Sequence, residues 1–256
     1  MRPQSETQVT VRDKVIGGAD PVICLPLVAK EKSEVLRQAK ELQQFNPDLV
    51  EWRIDGYENV EDIDDSLQTL KALREKIGNI PLIFTCRIDA EGGFKKISAD
   101  IRLKLIQAAI GSGDLDLADV ELCNEAAFIE NIKATAGRHG TRLIFSYHNF
   151  DRTPDEASIL SKLVQAQETG ADIAKVAVMP ENYKDVLTLL NATLKARTEH
   201  LKIPIITMSM GAEGRVTRLA GGLFGSDLTF AIGKEASAPG QISIGAFRQA
   251  MTLLYA

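Results

Sequence analysis

The chain has 256 residues, 45% of them hydrophobic and 25% charged. That is the balance of an ordinary globular protein with material for a large core, and it excludes a disordered chain, a collagen-like repeat and a coiled-coil rod. A net charge of −5, with basic residues spread singly, gives no footprint for nucleic acid or an anionic membrane.

The polar stretch Met1 to Thr10 has no charged-then-apolar layout of a signal peptide. Thr10–Val15, followed by Gly17-Gly18, reads as a hairpin over roughly residues 9–18 that plugs the bottom of the main body. Apolar, β-branched runs then recur as strands at Val22–Ala29, Leu49–Ile54 and Pro81–Ile88. A helix over Ser98–Ile110, stopped at Gly111, leads to a strand over Leu115–Leu122. The helix Glu125–Arg138, stopped at Gly140, precedes the strand Arg142–Phe150. Periodicity near 3.6 marks helices over Ala157–Glu168 and Tyr183–Glu199 on either side of the strand Asp172–Met179. Strands over Pro204–Met210 and Asp227–Ile232 complete the series.

Strand starts lie roughly 30 residues apart, the length of a βαβ unit. Eight such units in one chain predict an α/β fold, a (β/α)8 TIM barrel formed by residues 1–256 as a single domain. An open doubly wound sheet is the competing fold, but its glycine-rich phosphate turn does not follow the first strand. Cys24, Cys86 and Cys123 fall in no CxxC or zinc spacing and read as reduced, buried thiols. With apolar runs far shorter than the roughly 20 residues of a membrane helix, the expected location is the cytoplasm.

Strands of a parallel barrel are buried on both faces and should be apolar. Several here carry charge near their C-terminal ends, where barrels place catalytic groups. Glu51, Arg53 and Asp55 share one face by the two-residue period. They should point into the barrel, where partners can pair them, either as packing ion pairs or as a site. Arg87 ends the third strand ahead of Glu91-Gly92-Gly93, Asp119 and Glu121 share a face of the fourth, and Ser146 and His148 share a face of the fifth.

Lys175 lies inside the apolar run Ile173-Ala174-Lys175-Val176-Ala177-Val178-Met179. A buried lysine either pairs with a carboxylate, here Glu121 or Glu51, or gives up its proton more readily. A neutral amine attacks ketones and aldehydes, so the second reading is a Schiff-base lysine. The loops after the last two strands, Gly211–Arg215 and Ala236–Gln241, suit an anion, and Arg218 offers a planar fork to a carboxylate. Arg215 reads as a surface residue, and Met208 and Met210 as inward packing residues.

These residues resemble the type I 3-dehydroquinate dehydratases over nearly the whole chain. The motifs are Glu51-Trp52-Arg53-Ile54-Asp55, Phe84-Thr85-Cys86-Arg87 with Glu91-Gly92-Gly93, Ser146-Tyr147-His148-Asn149-Phe150, Ala174–Pro180, Ile206–Gly211, Arg218-Leu219-Ala220-Gly221 and Ser237-Ala238-Pro239-Gly240-Gln241. The resemblance implies a barrel enzyme of the shikimate route, a homodimer without cofactor or metal, acting on a small molecule. It implies that Lys175 forms an imine with the C3 ketone of 3-dehydroquinate. His148 then removes a C2 proton and protonates the departing C1 hydroxyl, and Glu91 assists His148 and loop closure. By the same resemblance Glu51, Arg53 and Arg87 bind substrate hydroxyls, and Arg218 clamps the carboxylate with Ser237 and Gln241. Pro26 departs from the family's usual small hydroxyl residue; it implies altered affinity and a local bulge in the first strand.

Other readings share some of these features. A Schiff-base aldolase on a sugar phosphate uses the same lysine, and an inactive barrel would keep the fold as a binding protein. A metal centre from Glu51, Glu121 and His148 is opposed by the neighbouring cations.

Overall fold

A computed structural model describes residues 2–233 and 242–255. The chain opens with an antiparallel hairpin, β1 (Val9–Val11) and β2 (Lys14–Ile16), as the sequence predicts. Strand and helix then alternate: β3 (Val22–Leu27), α1 (Lys32–Gln43), β4 (Leu49–Arg53), α2 (Ile63–Ile77), β5 (Leu82–Thr85) and α3 (Ala99–Ser112). They continue as β6 (Leu117–Glu121), α4 (Ala126–His139), β7 (Arg142–Asn149), α5 (Glu156–Thr169), β8 (Ile173–Val178) and α6 (Tyr183–Lys195). The series ends with β9 (Ile205–Ser209), α7 (Arg215–Ala220), β10 (Leu228–Phe230) and α8 (Ile244–Leu254).

Eight parallel strands run in the order β10-β3-β4-β5-β6-β7-β8-β9. The remaining seam, between β9 and β10, is bridged by the Asp227 N–H donating to the Ile205 carbonyl. The result is the (β/α)8 barrel expected from periodicity.

Two cores follow from the two-residue period. Outward side chains such as Leu25, Val50, Trp52, Phe84, Phe145 and Val176 pack against the helices. Inward ones, including Cys24, Leu49, Ile83, Leu117, Ile144, Ile173, Ile206 and Leu228, fill the lower barrel. Val9, Val11 and Ile16 of the hairpin join this inner cluster, so the hairpin closes the bottom. The upper barrel is left for polar groups.

The lower rim repeats one device four times. Asp48, Asp116, Asp172 and Asp227 each precede an even-numbered strand, and their carboxylates accept the backbone N–H of Ile23, Leu82, Leu143 and Ile205. Each aspartate N–H donates back to the carbonyl of the same residue. Polar backbone at the strand starts is thereby satisfied without extending the ladder.

Four local expectations are corrected. β3 shows no bulge: its register with β4 runs unbroken through Pro26↔Glu51. The Cys24 carbonyl faces β10, whose pairing ends at Cys24, so the missing N–H of Pro26 falls where no partner strand remains. α3 passes through Gly111 to Ser112 and stops at Gly113, whose φ of 75° suits glycine. α6 ends as an α-helix at Lys195 and widens into a π turn over Ala196–His200, in which Arg197 is buried against the Gly225 carbonyl. Cys24 and Cys86 are buried as expected, but Cys123, in the loop above β6, is exposed. Among the described residues no helix is long and apolar enough to cross a membrane.

Candidate active site

The sequence-predicted residues Glu51, Arg53, Arg87, His148, Lys175 and Arg218 line one cavity, open to solvent, at the C-terminal ends of the strands. Ala177, Met208, Met210, Phe150 and Phe230 supply its apolar wall. Ser237 and Gln241 lie outside the described residues.

Lys175 is 4% exposed and points inward from β8. Its Nζ is 2.7 Å from Asp119 Oδ2 and 3.6 Å from Glu51 Oε1, and 4.8 Å from the centroid of the Phe230 ring. The lysine is therefore ion-paired, and the first partner is Asp119, not Glu121. Barrel geometry explains the choice: tilted strands fill the interior in layers drawn from alternate strands. Glu51 on β4, Asp119 on β6, Lys175 on β8 and Phe230 on β10 obey that rule.

Glu121 is committed elsewhere. Its Oε1 accepts from Arg87 Nη1 at 3.0 Å and from the Ile88 N–H at 3.2 Å, and Arg102 from α3 donates to Oε2. Arg87 also reaches Asp119 Oδ1 at 3.0 Å and Ser146 Oγ at 2.7 Å, and Ser146 donates to Asp119 Oδ1 at 2.6 Å. Burial alone would push the Asp119 carboxyl up; Arg87 and Lys175 outweigh it and hold the group well below the usual carboxylate range. Glu51, Glu121 and His148 do not gather for a metal, and no cluster of that kind occurs among the described residues.

Asp55 is not part of β4, which ends at Arg53; it sits in a 3-10 turn, Ile54–Gly56, and is fully buried. It grips Arg53 through Nε at 2.9 Å and Nη2 at 2.8 Å, and accepts the Phe94 N–H at 3.0 Å. Arg53 in turn donates to the Gly92 carbonyl at 3.1 Å. The 91–94 loop is thus tied to the end of β4. Gly92 has φ 84°, and an added Cβ would lie 2.3 Å from the Phe150 ring; one on Gly93 would lie 2.3 Å from the Arg87 carbonyl. These contacts explain the paired glycines.

The loop aims Glu91 at His148. Glu91 Oε2 accepts the His148 backbone N–H at 2.8 Å and lies 3.1 Å from Nδ1. Phe150 stacks on the imidazole, centroids 6.5 Å apart. Burial pushes the His148 ring well below its ordinary value, and Arg87 and Lys175 add to the effect. Burial also pushes Glu91 up to about 7, against the pull of Arg87. Burial lowers Arg218, another lining residue, to about 10. Its Nη1 lies 3.4 Å from the Phe230 carbonyl and 3.5 Å from Met208 Sδ. Arg215 is exposed, as expected.

The arrangement can hold a small polar molecule between an inward amine and a buried imidazole. The family model for type I 3-dehydroquinase matches residues 23–256. The chain belongs to the type I 3-dehydroquinase family. Its relatives include the 3-dehydroquinate dehydratase of Geobacillus thermodenitrificans, 43% identical over 98% of this chain and 97% of that protein. The crystal structure of 3-dehydroquinate dehydratase from Geobacillus kaustophilus superposes with a TM-score of 0.96 at 44% identity, covering 99% of this chain and 98% of that one. The type I enzyme of Clostridium difficile, solved with covalently modified comenic acid, has a TM-score of 0.94 at 42% identity, covering 97% and 98%. Within this type I 3-dehydroquinase, Asp119, Asp55 and Ser146 are the polar groups to which sequence reasoning assigned no partner. The alternate-strand rule is the signal that would have joined Asp119 to Lys175.

Proposed function

We infer that the protein is a 3-dehydroquinate dehydratase, a hydro-lyase that removes water from 3-dehydroquinate to give 3-dehydroshikimate through an imine on Lys175. The observation that carries the reading is the buried Lys175 amine and the His148 ring lining one cavity, within a family-wide match. The Lys175 nitrogen attacks the C3 ketone, and the resulting iminium withdraws electrons from C2, so a base of modest strength suffices. His148, uncharged because burial and the neighbouring cations disfavour its protonated form, takes the C2 proton. Ionised Glu91 holds the ring with Nδ1–H towards it, leaving the Nε2 lone pair for the pocket. The proton is then delivered to the C1 hydroxyl, which leaves as water in a syn elimination, and hydrolysis of the imine frees the product.

Arg218, a lining residue of the cavity, suits the substrate carboxylate, with Ser237 and Gln241 as its partners. Glu51, Arg53 and Arg87 face the ring hydroxyls. The product places this step in the shikimate route to aromatic amino acids, a cytoplasmic pathway. A homodimer fits the exposed apolar side chains Tyr183, Leu187 and Leu194 along α6, and light scattering should give twice the chain mass; a monomer mass would contradict it.

The test is catalytic. 3-Dehydroquinate should be converted to a product with the ultraviolet absorbance of a conjugated enone. A Schiff-base aldolase or an inactive barrel would leave that compound unchanged, and an absent enone signal would reject the reading.

A further inference from the structure

The Lys175 ion pair needs an explanation, because a lysine committed to a carboxylate is a poor nucleophile. We propose that Asp119 is the fixed counter-ion of the Lys175 nitrogen, facing its positive charge as ammonium before condensation and as iminium after it; this rests on the imine reading above. The charge balance supports the role. An ammonium and a ketone condense to an iminium and one water, with a single positive charge on nitrogen at both ends. The C=O bond is lost as C=N forms, two nitrogen-bound protons leave with the carbonyl oxygen, and nothing is oxidised or reduced. His148, lining the same cavity, is the neutral acceptor that holds one proton during attack and returns it to the departing oxygen.

The position of Asp119 fits a counter-ion better than a proton carrier. Its side chain is fully buried, and Oδ2 lies 2.7 Å from Nζ. Oδ1 is fixed by the Ser146 hydroxyl at 2.6 Å and Arg87 at 3.0 Å, so the carboxylate cannot turn away. The cavity wall beside the lysine is formed by Glu51, not Asp119, which places Asp119 behind the nitrogen and leaves the front open to a ketone. Glu51, farther away at 3.6 Å and accepting from Thr85 at 2.8 Å, faces the substrate side. A preorganised charge of this kind needs no reorganisation when the iminium forms.

The experiment compares native enzyme with Asp119→Asn in two readouts. One is the rate at which borohydride traps the adduct with 3-dehydroquinate, followed by mass; the other is calorimetric binding of an analogue whose ketone is reduced to an alcohol. Trapping should fall on the order of 100-fold in the variant, the scale for removing one preorganised charge partner, while analogue binding changes little. Native-rate trapping overturns the proposal, and so does equal loss of both readouts, which is the mark of a structural role. If Asp119→Asn does not fold, Ser146→Ala decides: it removes the shorter of the two contacts that fix Oδ1, leaving Arg87 and the charge in place, and should slow trapping while sparing analogue binding. Native trapping in Ser146→Ala would then overturn the role. Absence of any adduct in the native enzyme would reject the imine reading itself.

Discussion

At the scale of single residues, two groups near the lysine are held away from their ordinary ionisation. His148 is pushed down by burial and adjacent cations, so it is a base at neutral pH. Replacing it with alanine should let an imine form only slowly, without its proton acceptor, and then stall elimination, with turnover lowered on the order of 10²–10⁴-fold. Native turnover in His148→Ala, measured by enone absorbance, would point to another base. Glu91 titrates near 7 because burial raises it. Below that pH it is protonated and no longer accepts the Nδ1–H, so kcat/KM should climb as pH rises through about 7. Glu91→Gln should remove that limb from the pH profile. An unchanged limb in the variant would assign it to a different group.

Lys175 and His148 were legible because charge in a buried strand is costly and because the two-residue period fixes which face it occupies. Asp119 was visible as an inward residue, but not as the partner of Lys175. Its strand, β6, is not adjacent to β8 in the sheet, and only strand tilt brings the two side chains to one level. Asp55 was misplaced for a related reason. A two-residue period continues only as far as the strand, and β4 ends at Arg53.

At the scale of elements, the 91–94 loop is the part that sets Glu91 against the His148 ring. It hangs from Asp55 and Arg53 and closes on itself through the Gly93 N–H to the Ile88 carbonyl at 2.8 Å. A methyl at Gly93 would meet the Arg87 carbonyl at 2.3 Å, so the loop would have to move and carry Glu91 with it. Gly93→Ala should retain the fold but lose on the order of 100-fold in kcat, the scale for a displacement of about 1 Å at a catalytic group. A kcat near native would show that the Glu91–His148 contact tolerates the shift. Gly92 and Gly93 were readable as following the third strand, but the ring and carbonyl that require them come from residues just past the ends of β7 and β5 and have no local signal. The same limit applies to the end of α3: Gly111 has the right composition for a stop, yet the helix ends at Gly113.

Across the barrel as a whole, work is divided by height. The lower half is apolar, sealed by the hairpin and by the four aspartates that accept an N–H at the start of alternate strands. The upper half carries the charges. We propose that the chain is a single domain on these grounds, since the hairpin, the eight strands and the ring of helices share these cores. Urea unfolding should then show one cooperative transition. Asp116→Ala strips the Leu82 N–H of its acceptor and Arg74 of a partner 3.3 Å away, and should lower stability by about 1–3 kcal/mol with little change in urea dependence. An unchanged midpoint would mean that water replaces the carboxylate at no cost. Spacing of apolar runs was enough to foresee the strand series and the closure, because both follow from regular periods. The aspartate device was hidden, since each residue looks like an ordinary turn aspartate until the strands are side by side.

The proposed chemistry rests on one bond, formed between the inward amine on β8 and the substrate ketone. The direct measurement is mass spectrometry of the protein reduced with borohydride in the presence of 3-dehydroquinate, followed by peptide mapping. A single adduct on Lys175, lost in Lys175→Ala together with turnover, is the expected result. Turnover without any adduct, or an adduct on a different residue, would contradict it.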